Sequence, residues 1–174
     1  MHYVAQWHVE PAVHRWMRGP INALPDGFCI LVFPPGKRRF WTYATCCMSQ
    51  PLESDNLELH LFSPYETDAH LELLATVAHY HRTGARLGVR HTVNFGRPWL
   101  PGSHCDRGLI SLPYLDGPNL ENSLIGGDHV RFLWLLPVTG GEVEFAKTHG
   151  LDALERRFES APLNYLDPKR ESVA

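Results

Sequence analysis

Histidine, cysteine, serine and carboxylate side chains carry most nucleophilic, acid–base and metal-binding chemistry, and this chain of 174 residues has 11 His and 4 Cys. Their densest grouping is His79, His81, His91, His104 and Cys105, and an enzyme dependent on a metal or small molecule would draw on that region. His79 and His81 stand two apart on a predicted helix, which turns their side chains about 200° apart. No pair among the five has the spacing that zinc sites use. His81 extends the apolar stripe of its helix, where a neutral, hydrogen-bonded core histidine is the simpler account. Gly102-Ser103-His104-Cys105-Asp106 holds the side-chain types of a hydrolase, but a triad is assembled from distant segments. Adjacent loop residues point apart, and Ser103 is not in a Gly-x-Ser-x-Gly elbow, so turn-forming roles are expected. Glu142 and Glu144 diverge on a predicted helix. Gly126-Gly127 lacks the Gly-Lys-Ser/Thr ending of a phosphate loop and reads as a turn. Cys29, Cys46, Cys47 and Cys105 form no Cys-x-x-Cys pair, which argues against a disulfide framework or a zinc knuckle. The residues thus assign no catalytic group, cofactor or metal site, and an enzyme using the His79/His81/His91/His104/Cys105 region stands as the alternative.

The remaining candidates are surfaces. Trp99 in Arg97-Pro98-Trp99-Leu100-Pro101 and Tyr114 in Pro113-Tyr114-Leu115-Asp116-Gly117 occupy Pro- and Gly-punctuated loops, where exposed aromatic residues commonly anchor partners. With Asp116 they flank the strand read at Leu109 to Leu112 and are the exploratory partner-binding residues. The competing reading is that both rings pack loops onto the sheet.

The elements that position these residues follow from periodicity. Phe28 to Phe33 is a continuous apolar run between turn signals, expected as a strand buried on both faces. Phe40 to Cys47 is its hairpin partner, and Lys37-Arg38-Arg39 between them reads as a solvated tip. Leu57, Leu59 and Leu61 alternate with Glu58 and His60, giving a third strand with one apolar and one mainly polar face. Leu71, Leu74, Ala78 and His81 share one face of a helix. Its start is set by a capping box over Ser63-Pro64-Tyr65-Glu66 or, later, by Thr67, and its end by Gly84. Val130 to Val138 is a second buried-type strand placed near the sheet centre. Thr139-Gly140-Gly141-Glu142 has capping-box spacing with a Val138/Val143 staple, so a helix should start at Gly140. After Gly150, Leu151, Leu154 and Phe158 mark another amphipathic helix, and residues 169–174 are expected to be a mobile tail. The fold class is α+β: one domain with a largely antiparallel or mixed sheet and packed helices. The boundaries expected are an N-terminal segment over 1–27 packed on a domain over 28–168.

Composition sets the limits. A hydrophobic content of 44% is in the globular range, and a chain of this size buries roughly two thirds of its unfolded surface without staples. The net charge of -3 lacks the basic field that a phosphate-tracking protein uses, which argues against nucleic acid. The apolar runs are too short to span a bilayer and the N-terminus has no secretory pattern, so a cytoplasmic protein is expected.

Three stretches together resemble the Suppressor of fused domain family. The first is Trp41-Thr42-Tyr43-Ala44-Thr45-Cys46-Cys47-Met48-Ser49-Gln50-Pro51-Leu52, like that family's Thr-x-Gly-Met-Ser segment, followed by the strand Glu58 to Phe62. The second is His91-Thr92-Val93-Asn94-Phe95-Gly96-Arg97-Pro98-Trp99, leading to Ser103 and to Leu109 to Pro113. The third is Val130 to Thr139 with Glu142, then Gly150-Leu151-Asp152-Ala153-Leu154-Glu155 and Asp167 to Val173. Cys47 stands where the family usually has Gly, which bears on the backbone of that turn. The resemblance implies a binding protein and not an enzyme. Animal members hold a transcription-factor peptide as an added strand between two domains. The short bacterial form, which this chain resembles, implies an immunity protein that neutralises a polymorphic toxin by direct association. The partner so implied is a protein, with a toxin domain the favoured case.

Overall fold

The structure is a computed structural model and describes residues 2–19, 23–49, 56–161 and 163–174. Gln50, Pro51 and Leu52 of the first resembling stretch lie outside the described residues. The strands are β1 (Ala12–His14), β2 (Cys29–Phe33), β3 (Trp41–Cys46), β4 (Asn56–Ser63), β5 (Thr92–Asn94), β6 (Cys105–Ser111), β7 (Asn122–Ile125) and β8 (Asp128–Thr139). The helices are α1 (His2–Trp7), α2 (Ala69–Thr83), α3 (Pro118–Glu121), α4 (Gly140–His149) and α5 (Leu151–Ser160). One sheet has the order β1-β2-β3-β4-β8-β6-β5, with β7 also paired to β8. β4 and β8 run parallel and the other pairs antiparallel, so the sheet is mixed and the fold is α+β.

The expected meander is β2-β3-β4, and the long apolar β8 lies at the centre between β4 and β6. Alternation along the strands sorts side chains onto two faces. Ile30, Val32, Leu57, Leu59, Leu61, Leu133 and Leu135 pack with α2 residues Leu71, Leu74 and Ala78 in one cluster. Leu31, Phe33, Val130 and Phe132 pack with Tyr3 of α1 on the other face. Farther along that face, Phe62, Trp134, Leu136 and Val138 meet Val143, Leu151 and Phe158 of α4 and α5. Both faces are therefore covered, which corrects the expected polar face of β4. All eight of its residues are buried, Glu58 and His60 included.

Other expectations hold with local shifts. Ser63 ends β4 and its hydroxyl donates to Tyr65 O at 2.6 Å, so the early capping box does not form. α2 starts at Ala69, where Thr67 Oγ1 accepts the Ala69 N–H at 3.2 Å, and Gly84 closes it by donating to Tyr80 O. The capping box at Thr139 and Glu142 is present in full. Gly126 and Gly127, both at positive φ, make the two-residue turn between β7 and β8, as a hairpin of the right twist requires. Cys47 takes φ 65° after β3, the left-handed conformation that glycine adopts most readily.

Two further expectations are overturned. Lys37 and Arg39 are exposed as a solvated tip requires, but Arg38 is not: its guanidinium pairs with Asp116 Oδ1 at 2.5 Å and lies over the rings of Trp7, Phe40 and Phe62. Residues 169–174 are not a free tail. Arg170 is buried and grips Glu142 through both carboxylate oxygens at 2.7 Å, with a third bond to Pro137 O.

Candidate functional site

The three exploratory surface residues separate in the structure. Trp99 is buried, its ring stacked on His70 at 5.5 Å between centroids, so it holds the loop after β5 onto α2. Asp116 is drawn inward, accepting from Trp7 Nε1 at 2.7 Å as well as from Arg38. Burial pushes its carboxyl up, against the pull of Arg38 and Trp7. Tyr114 remains on the surface at 62% exposure, in a loop fixed by the bond from Tyr114 N–H to Leu112 O.

The histidine region does not assemble. His81 is buried and its Nδ1 accepts the Leu87 N–H at 2.9 Å, a core role. His91 and His104 are exposed, and Ser103 Oγ accepts the Cys105 N–H at 3.0 Å, the turn-forming role expected. Among the described residues no group of three or more His, Cys, Asp or Glu side chains converges. Glu142 is committed to structure: it accepts from Thr139 N, Val173 N and Arg170.

What the fold does present is an open edge. β5 ends the sheet and, among the described residues, pairs only with β6. Ile110 N–H donates to His91 O, and Phe95 N–H to Asp106 O, so His91 and Phe95 face β6. In an antiparallel ladder the bonding direction alternates, which turns the N–H and C=O groups of Thr92 and Asn94 outward. Both residues are exposed while Val93 between them is buried.

Beside this edge a groove of about 450 Å³ runs between β5 and α2, with Leu73, Thr76, Val77, Tyr80, Val93 and Phe95 on its walls. Gly108, opposite Val93, lets the Phe95 ring lie on the sheet: a Cβ there would come within 2.5 Å of that ring and 2.7 Å of Leu135. The far end of β5 is held by Asn94 Oδ1, which accepts from Gly96 N–H at 2.8 Å and from Arg107 at 2.9 Å. Arg97 pairs with Glu72 across the groove at 2.6 Å. The edge is thus a strand with open hydrogen-bonding groups, an apolar trough alongside and no net local charge. An extended peptide is the ligand shape that uses all three. β5 is too short and too polar outside to have marked itself in the sequence as an edge. The Thr-Val-Asn alternation was its only signal.

Comparison with known proteins identifies relatives of this fold. The family model for the Suppressor of fused protein (SUFU) matches residues 25–171. The crystal structure of a SUFU homolog from Neisseria gonorrhoeae FA 1090 superposes with a TM-score of 0.86 at 36% identity, covering 99% of this chain and 93% of that one. The Sufu–Fu complex aligns with a TM-score of 0.74 at 14% identity, covering 99% of this chain and 89% of that one. Drosophila Suppressor of Fused aligns at 0.71 and 14%, with 99% of this chain spanning 49% of that one. At that identity these two share the fold. Immunity protein YqcF of Bacillus subtilis (strain 168) is 38% identical over 61 residues, which is 35% of this chain and 32% of that protein. The match over residues 25–171 shows that this chain belongs to the Suppressor of fused protein family.

Proposed function

We propose that this protein is a non-enzymatic binding module that captures an extended segment of a partner protein along β5, and that it serves as an immunity protein neutralising a toxin by direct association. The observation that carries the reading is the open β5 edge beside an apolar groove, with Thr92 and Asn94 turned outward. Main-chain hydrogen bonds would give the affinity and the trough the specificity. The family supports a protein-binding role, and the matched stretch of an immunity protein supports the toxin reading. Tyr114, exposed near the end of β6, is proposed as a rim contact. Buried Trp99 is proposed to support the groove from beneath, through its stack on His70 of α2, and Asp116 to hold the loop that carries Tyr114, through Trp7 and Arg38.

The test uses the whole chain as bait in extracts of its own cell, followed by reconstitution with the purified partner. Thr92→Pro removes one outward N–H from an edge strand, where proline is tolerated. It is expected to weaken binding about tenfold, the worth of roughly one hydrogen bond, with unfolding unchanged. Full affinity in Thr92→Pro contradicts the edge, and a partner that is not toxic when produced in cells lacking this protein contradicts the immunity role.

A further inference from the structure

On the sheet face opposite α2, beneath α1, lies a separate cavity of about 210 Å³. Leu31, Val130 and Phe132 give it apolar walls, and Glu58 and Tyr3 are among its other lining residues. Glu58 is buried and accepts hydrogen bonds: Thr45 Oγ1 donates to Oε2 at 2.5 Å and Met48 N–H to Oε1 at 3.0 Å. Such donors favour the carboxylate over the acid. Yet among the described residues no basic side chain forms an ion pair with it, and a buried charge without a counter-charge is costly. Burial accordingly pushes its carboxyl up to about 7 in spite of those donors. Tyr3 Oη is buried and has no hydrogen-bond partner among the described residues. Burial, with the nearby Glu58 carboxylate adding to it, raises the Tyr3 phenol, so it stays protonated and neutral.

We propose that this cavity binds a primary ammonium group on a short unbranched alkyl stem, with Glu58 as counter-charge, Tyr3 Oη as a second acceptor and Leu31, Val130 and Phe132 around the stem. The ammonium supplies the one element the carboxylate lacks, and aromatic faces such as Phe132 favour cations. The volume is below the roughly 300 Å³ at which sites for drug-sized molecules begin, which restricts the occupant to a short chain. The same chemistry is offered by a free alkylamine and by a lysine side chain of another protein. The site is on the far side of the sheet from the α2 groove and does not depend on the binding mode proposed for β5.

The experiment is an amide NMR titration of the full chain with n-butylammonium chloride, with 1-butanol as the neutral match in shape. The amine is expected to shift the amides of Cys46, Cys47 and Met48 saturably and to bind about tenfold tighter than the alcohol at about pH 8. Besides Glu58, the titratable groups facing the cavity are His2, Tyr3, Cys46 and Cys47. An alkylammonium stays charged well above neutrality, so its affinity should fall more than tenfold by about pH 5.5 as Glu58 takes up its proton. Glu58→Gln should remove the preference for amine over alcohol. Where that variant does not fold, the two pH values on the unmodified chain decide. Shifts of equal size from N-acetyl-lysine methylamide assign the site to a lysine side chain, and their absence alongside butylammonium binding assigns it to a free amine. Equal affinity for butanol and butylammonium, or no saturable shift with the amine, overturns the proposal.

Discussion

Glu58, His60 and His70 are buried ionisable groups on or beside β4, and their environments oppose one another. Burial raises Glu58 to about 7, above the ordinary unfolded value of about 4.3. The unfolded chain therefore releases this proton first as pH rises, and stability falls between about pH 4.3 and 7 before levelling off. Burial lowers His60 and His70 to about 3, with Arg38 and Arg97 respectively adding to the effect. The unfolded state then binds their protons first, and stability falls as pH drops from about 6.5 toward 3. Urea unfolding across this range should show the stability of Glu58→Gln relative to the parent rising with pH up to about 7 and constant above it. A difference independent of pH would contradict the account of Glu58. Glu142 is the contrary case. Burial alone would raise it, but Arg170, the Thr139 N–H and the Val173 N–H together lower it, so its ionised form supports the fold at neutral pH and that support is lost in acid. Removing one partner of such a buried pair costs about 3–5 kcal/mol. Arg170→Met is expected to lose that much in chemical denaturation, and a loss below about 1 kcal/mol would contradict the buried pairing.

At the scale of elements, α1 is six residues long, too short to be stable alone. Its position depends on Tyr3 packing against Phe132 at 5.0 Å and on Trp7 bonding Asp116. Asp116→Ala should release α1 while leaving α2 and the sheet intact. Hydrogen exchange at residues 3–8 is expected to rise at least about tenfold, and Trp7 fluorescence to move to the red. Unchanged exchange there would show that Asp116 does not tether the helix. The elements legible in the sequence were those with a continuous apolar run, a period or a cap: β2, β3, β4, α2, β6 in its part from Leu109, β8, α4 and α5. β1, β5, β7, α1 and α3 have three to six residues and too few repeats to show one. The covered face of β4 could not be read locally, because Glu58 and His60 are shielded by α1 from the distant N-terminus. Burial of Arg170 was hidden for the same reason: its partner is 28 residues away at Glu142.

At the scale of the molecule, the parallel pairing of β4 with β8 brings the N-terminal meander and the C-terminal half into one sheet, and that junction leaves β1 and β5 at the two ends. The candidate site was legible only in part. Tyr114 is exposed as a loop aromatic should be, whereas Trp99 and Asp116 face inward because His70, Trp7 and Arg38, all remote in sequence, satisfy them. The β5 edge emerged only from topology, since no residue pattern states which strand ends a sheet. The central claim is that a partner chain adds to β5, and amide hydrogen exchange of the complex tests it most directly. The account predicts that the outward amides of Thr92 and Asn94 become strongly protected when the partner is bound, while those of β1 and β7 keep their free-state rates. Protection confined to β1, β7 or the helices, with Thr92 and Asn94 unchanged, would contradict it.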